Sequence, residues 1–425
     1  MACKKLSFFE NIFSVTNNDL NHKQICIMGF KIKIQKDVKP HFVYENLPIE
    51  NNKIIFRTFN GGYNCNPKYI AEEIIKQNLP YKLVWVVNKN ILNFIDDFPR
   101  NKIKLVMSGT SEEAKETATA KILIDNERRT SYIQRGMFKK EEQIYIQTFH
   151  GSLGIKKTGI DRNDVSKSAL RLCKIDSEQI DYLVSNSTYT TNFFKSMFWN
   201  YGTVIECGHP RNDIFFKNNN EIRKKVYKYF NLHENKKIVM YAPTLREDRD
   251  FNCYSLDLEK TLKAVTSKFG GDWVVITRLH PLLINRRDDF IPAGSNIIDG
   301  TQYSDMQELL ASVDLLITDY SSSIYDYVLS YKPGFIFATD IKKYDNDRGL
   351  YYPLTSTPFP VATNNEEMVK NIQNFNYDKY KSDVTEFLKG KGVVESGKAS
   401  EKIVELIKEI IVKAENNEKE QEVQV

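Results

Sequence analysis

No apolar run in this 425-residue chain approaches the roughly 20 residues that span a bilayer. A membrane-crossing helix is therefore not expected. The N-terminus, MACKKLSFFENIFSV, has neither a long hydrophobic region nor a small-residue cleavage site, which argues against a secretory signal. The six cysteines are scattered, with no CxxC pair and no metal-ligand spacing. They read as reduced, mostly buried thiols of a reducing compartment. Basic residues do not interleave with aromatics, which disfavours nucleic acid as a partner. No Asp-x-Asp run stands in a convincing loop, and the candidate sites supply cations themselves, so a metal is not expected to be essential; no cofactor is expected. No internal repeat stands out.

What is present is an ordinary globular composition: 41% hydrophobic, 12% aromatic and 27% charged residues. The length fits two or three domains. The net charge of +5 has a plain reading, a solvated surface of mixed charge, and a sharper one, an anionic substrate or membrane surface. A cytoplasmic protein follows, with a peripheral seat on the inner leaflet left open. KKLSFFENIF and KIVELIKEIIVK are the segments to test for it, although the plainer reading of both is a core-packing or terminal helix.

Residues 1–48 read as an appendage, in which KQICIMGFKIKIQK forms a hairpin around Gly29. From residue 49 to 217, apolar strands (KIIFRTF, YKLVWVVN, IKLVMS, KILIDN, IYIQTF, QIDYLVSNS, TVIECG) alternate with helical segments. That alternation predicts a parallel sheet covered on both faces. Residues 218–237 are charged and helical, and read as a link. A second alternating set runs from 238 to 385 through KIVMYAP, DWVVITRLHP, SNIIDG, DLLITDYSS and PGFIFAT. Helices are expected from 386 to 415 and a disordered tail from 416 to 425.

Open α/β sheets bind ligands at the carboxyl ends of their strands, and the unusual polar residues fall there. His150 ends the IYIQTF strand and opens HGSLGIKKTG, where Gly151 and Gly154 permit close approach and Lys156 and Lys157 are cationic. An imidazole of ordinary pKa ~6.5 suits general-base work near neutrality. Arg278 and His280 close VVITRLHP and can donate to phosphate oxygens. In TDYSSS, Thr318, Asp319 and the serines Ser321, Ser322 and Ser323 precede a helix whose start would suit a diphosphate. Ordinary capping by serine explains them equally. Thr244 and Arg246 follow another strand, where Arg246 either neutralises a phosphate or pairs with a nearby acid. His209, Arg211 and Asn212 cluster in GHPRND, a segment that also reads as a structural turn between halves.

The ordered set FNGGYNCNPKYI, QTFHGSLGIKKTGID, SNSTYTTNFF, GHPRNDIFF, YAPTLRED, RLHP and TDYSSSIYDYVLSYKPGFIF resembles the CDP-glycerol glycerophosphotransferases, the teichoic-acid primases and polymerases with capsule-forming relatives. The resemblance implies a GT-B fold: two Rossmann-like domains facing across a cleft, 49–217 on the acceptor side and 238–385 holding the CDP donor. It implies transfer of glycerol phosphate or a related polyol phosphate from a CDP-activated donor to an acceptor hydroxyl on a glycan or lipid-linked glycan, with release of CMP. By the same carry-over His150 is the base and His280 steadies the pyrophosphate. Arg211, Thr244, Arg246, Arg278, Thr318, Asp319 and Ser321–Ser323 fall on the donor side, and Gly151, Lys156, Lys157 and His209 on the acceptor side. Two departures stand out: Phe149 replaces the tryptophan of the family's TWHG, and His209 replaces an aromatic in its GxPRND. The N-terminal hairpin points towards capsule or lipopolysaccharide synthesis. The rival readings are a GT-B glycosyltransferase using a nucleotide sugar and a non-catalytic binding protein of glycan machinery.

Overall fold

The computed structural model describes residues 13–19, 22–27, 30–35, 44, 46–89, 97–162, 165–199, 201–246, 250–292 and 294–423. Three strands, β1 (Phe13–Asp19), β2 (His22–Ile27) and β3 (Phe30–Gln35), form a small antiparallel sheet in the order β1-β2-β3. The hairpin expected around Gly29 is β2–β3, with Ile27 opposite Phe30; Gly29 itself lies outside the described residues. The additional strand β1 ends in the polar TNND, which carries little strand signal. The KKLSFFENIF segment also lies outside the described residues.

The first half holds seven parallel strands: β4 (Glu50–Arg57), β5 (Lys82–Val87), β6 (Ile103–Met107), β7 (Ala120–Asp125), β8 (Ile144–Gln147), β9 (Tyr182–Ser185) and β10 (Thr203–Glu206). Their order is β10-β9-β8-β7-β4-β5-β6. The second half holds β11 (Lys236–Ala242), β12 (Asp272–Thr277), β13 (Ile297–Asp299), β14 (Leu315–Thr318), β15 (Gly334–Phe337) and β16 (Val361–Ala362), in the order β13-β12-β11-β14-β15-β16. All pairings in both sheets are parallel. In each sheet the chain builds outward from its first strand, then returns to add strands on the other side. The reversal creates a switch point beside β4 and β7, and another beside β11 and β14, where such sheets bind ligands. These are the two Rossmann-like halves of a GT-B fold.

The strands are near-continuous apolar runs because both faces are covered. Ile54, Ile55 and Phe56 of β4 and Ile238, Val239 and Met240 of β11 are all buried. Two segments differ from the sequence expectation, one in its packing and one in its length. The helix Asn220–Tyr229, read as a link, inserts Val226 and Tyr227 into the second half's core. The last helix, Ala399–Val423, runs back to the first half and remains helical through residues expected to be disordered from 416. Its Ile403, Val404, Ile407 and Ile411 pack with Ile70 and Ile74 of the helix Cys65–Lys76. Asp213 fixes its start, accepting from the backbone N–H of Ala399 at 2.9 Å and Ser400 at 2.8 Å. The apolar stripe of KIVELIKEIIVK is therefore spent on the core and not on a membrane. Among the described residues no helix is long and apolar enough to cross a bilayer.

Because Ile407 is fully buried between helix and sheet, Ile407→Ala should lower unfolding free energy by about 2–5 kcal/mol in urea titration. An unchanged midpoint would show that the helix does not belong to the first half's core.

Candidate active site

A cleft of about 560 Å³ opens between the two sheets. Its walls come from both switch points: Phe59 and Asn126 after β4 and β7, Ala242–Leu245 and Ser321–Ser323 after β11 and β14. His150 and His280 both line it, one from each half. The Phe59 ring touches both, stacked on His150 with centroids 5.7 Å apart and edge-on to His280 at 6.1 Å.

β8 stops at Gln147, three residues before His150, because the chain turns sharply there. Phe149 adopts a left-handed φ of 54°, which costs energy in a bulky residue and must be held by its surroundings. Asn66 does the holding, donating to the carbonyls of Thr148 at 3.0 Å and Phe149 at 2.8 Å. Gly151 is required here, since a Cβ would sit 2.9 Å from the Phe149 ring.

The two imidazoles are held as opposite tautomers. His150 Nδ1 lies 2.6 Å from the Asn126 carbonyl, which only accepts, so Nδ1 carries the proton and Nε2 keeps its lone pair. His280 Nδ1 accepts from the backbone N–H of Leu282 at 3.3 Å, so its Nε2 carries the proton. One ring is thus set to accept a proton and the other to donate a hydrogen bond. Both are neutral at neutral pH. The His150 side chain is open to the cleft, but the protein packed around its base desolvates the charged form and lowers its pKa to about 4 against the opposing Asn126 bond, with Arg211 and Lys156 adding to the fall. Burial also lowers His280 to about 4, helped by Lys156 and Arg278.

On the donor side Thr244, Arg278 and the three serines reach the cleft. Arg278 is anchored by the carbonyls of Gly300 at 2.8 Å and Tyr303 at 2.7 Å. Ser323, which opens the short helix Ser323–Tyr327, donates its hydroxyl to Ser321 Oγ at 2.9 Å. Ser321 Oγ also accepts from the Ser323 N–H at 3.3 Å, so that serine partly caps the helix, while Ser322 makes no cap and lines the cleft with the other two. Arg246 does not reach the cleft. It is buried between Asp319 at 2.9 Å and Asp340 at 2.7 Å, the structural ion pair that its position also allowed. Asp319 is spent on Arg246 and the Thr244 N–H, and Thr318 donates to the Ala242 carbonyl at 2.6 Å. Those three residues shape the strand ends from behind.

On the acceptor side Lys156 lines the cleft and Lys157 does not: the Lys157 N–H joins the halves by donating to Gly349 O at 2.9 Å. His209 is fully buried behind the cleft, 2.9 Å from Ser152 Oγ, so it contacts no acceptor. Arg211 lines the cleft but is chiefly structural. Its guanidinium pairs with Asp326 of the second half at 3.0 Å and donates to the His150 carbonyl at 2.8 Å.

Phe59, Asn126 and Asp326 had no role in the sequence reading. Phe59 stands inside the quoted FNGG motif, which marked the place without the function. Asp326 likewise stands inside the quoted TDYSSSIYDYVLSYKPGFIF, while Asn126 carried no local signal, since its importance comes from partners far away in the chain. Among the described residues no group of three His, Cys, Asp or Glu side chains is placed to hold a metal ion.

The family model for CDP-glycerol:poly(glycerophosphate) glycerophosphotransferase matches residues 41–409. The chain belongs to the CDP-glycerol glycerophosphotransferase family. It is 31% identical over 400 residues to the teichoic acid poly(glycerol phosphate) polymerase of Bacillus subtilis (strain 168), covering 91% of this chain and 52% of that protein. It is 27% identical to the teichoic acid glycerol-phosphate transferase of Staphylococcus aureus (strain NCTC 8325 / PS 47), covering 88% of this chain and 98% of that protein. A solved structure of the wall teichoic acid polymerase TagF superposes with a TM-score of 0.74 at 30% identity, over 86% of this chain and 91% of that one. The chain spans about half the length of the first two polymerases it matches.

The family member's two cleft histidines should remain neutral well below the ordinary imidazole range. Folded-state pKa values near 4 lie below the unfolded ~6.5. Each histidine thus contributes stability that is present above about 6.5 and lost as pH falls towards 4. Imidazole NMR titration should find both rings neutral at pH 6, with Nδ1–H on His150 and Nε2–H on His280. A midpoint near 6.5 for either ring would show that its surroundings do not desolvate the imidazole as described.

Proposed function

We propose that this chain moves glycerol phosphate, or a related polyol phosphate, from a CDP-activated donor to an acceptor hydroxyl of a bacterial surface glycan, releasing CMP. The observation that carries the reading is the pair of opposite tautomers on the two walls of one cleft. An in-line displacement needs a base at the attacking end and hydrogen-bond donors at the departing end. His150 Nε2 takes the proton of the acceptor hydroxyl as that oxygen bonds to the phosphorus carrying the polyol. The phosphorus–oxygen bond to CMP breaks, and its electron pair leaves with CMP. His280 Nε2–H, Arg278 and the hydroxyls of Ser321–Ser323 stabilise the departing charge electrostatically. The polyol phosphate carried by capsule, lipopolysaccharide or teichoic-acid-like polymers fits this chemistry.

Family membership and the TagF likeness support a nucleotide donor of this class over a nucleotide sugar. A peripheral seat at the cytoplasmic face of the membrane is part of the proposal. Its support is the apolar face of the small sheet, where Ile27, Phe30 and Ile32 stand 44%, 78% and 50% exposed.

Incubation with CDP-glycerol and a glycan acceptor should release CMP and add the mass of glycerol phosphate to the acceptor. His150→Ala should lower turnover by roughly 10²–10⁴-fold while leaving CDP-glycerol binding nearly intact. Unchanged turnover would remove His150 from the chemistry, and nucleotide release only from a sugar donor would replace the reaction class.

A further inference from the structure

We propose that Phe59 is the wall against which the transferred polyol packs, and that it sets the chain length of the donor's polyol. The inference rests on the phosphotransferase reading above. In an in-line displacement the attacking oxygen, the phosphorus and the departing oxygen lie on one axis. With His150 at one end and His280 at the other, the phosphorus lies between them. The polyol is an ester substituent of that phosphorus, so it leaves the axis sideways. Phe59 is the side chain in contact with both histidine rings, and it therefore flanks the place where the polyol departs.

Its chemistry suits that place. Beside His150, His280, Lys156 and Arg278, the Phe59 ring stands 37% exposed and offers an aromatic face to the cleft. A polyol presents C–H edges along its carbon chain and hydroxyls elsewhere. The C–H edges pack on an aromatic face, whose quadrupole attracts them, while the hydroxyls turn to the polar wall.

The backbone that carries the ring is held in place, as a gauge of length requires. The Phe59 N–H donates to Asn126 Oδ1 at 2.8 Å. The same asparagine's carbonyl receives His150 Nδ1–H at 2.6 Å, so one residue fixes the base and the wall relative to each other. The turn behind Phe59 has no room to retreat. Gly61 has a φ of +68°, and a Cβ there would sit 2.6 Å from the Asn88 backbone nitrogen. Asn126 Nδ2 is buried with no hydrogen-bond partner among the described residues, and the residue lines the cleft.

The test compares kcat/KM for CDP-glycerol and CDP-ribitol, donors of three- and five-carbon polyols, with the full chain and its Phe59→Leu and Phe59→Ala variants. Whichever donor the wild type prefers, removing the ring should shift the ratio towards the longer polyol. The expected shift is roughly tenfold or more for Phe59→Ala and less for Phe59→Leu. Thermal melting checks that each variant is folded; if Phe59→Ala is not, Phe59→Leu carries the comparison. Equal losses for both donors, with the ratio unchanged, would overturn the inference and leave the reaction class standing. A wild type that releases CMP from neither donor would overturn the underlying reading instead.

Discussion

The buried ion pair between Arg211 and Asp326 is the constraint on which the site depends. It joins the two halves at the floor of the cleft, 3.0 Å apart, with both side chains almost wholly removed from water. Desolvating two charges is costly, and such a pair adds little net stability over an apolar one. What it supplies is geometry. Asp326 also accepts from Ser152 and, at 2.9 Å, from Gln307. Arg211 donates widely: its backbone N–H reaches Asn66 Oδ1 at 3.1 Å and its guanidinium the His150 carbonyl. Asn66 in turn holds the strained Phe149 turn. A carboxylate of one half therefore fixes the loop that carries His150 in the other.

A second buried cluster closes the same interface. Lys68 of the first half lies 2.5 Å from Asp305 and 2.8 Å from Glu308 of the second. Both acids offset the desolvation of its ammonium and keep its pKa above the ordinary range. Backbone pairing adds to this, with Lys156 bridged to Leu350 and the Tyr351 N–H on Ile155 O at 2.8 Å. Closure matters because the tautomers are useful only face to face. A lone pair on His150 and a proton on His280 define a direction for proton movement, and Phe59 holds their spacing.

The alternation of apolar strands with helices made both halves legible, and glycine, serine and histidine at strand ends marked the cleft. Strand order was beyond the sequence, since it depends on pairings between distant segments such as β4 with β7. The last helix was legible as an amphipathic helix, but its stripe of Ile403, Ile407 and Ile411 did not name the half that receives it, nor that the helix runs past residue 416. Arg246 and His209 show the limit at the site. Each stands beside a strand end in a motif of the right kind, and in each the side chain turns inward, Arg246 to two carboxylates and His209 to a serine hydroxyl. Side-chain direction at a strand end is set by neighbours that the local sequence does not name.

The central claim is that the pair between halves places His150, and a double-mutant cycle on kcat tests it most directly. Arg211→Met, Asp326→Leu and the double variant would be assayed for CMP release, each after its fold is checked by near-ultraviolet circular dichroism. Because the two residues act as one unit, each single change should lower kcat severely, and the double variant should be no worse than the poorer single. Losses that simply multiply, or single variants with wild-type kcat, would contradict the account.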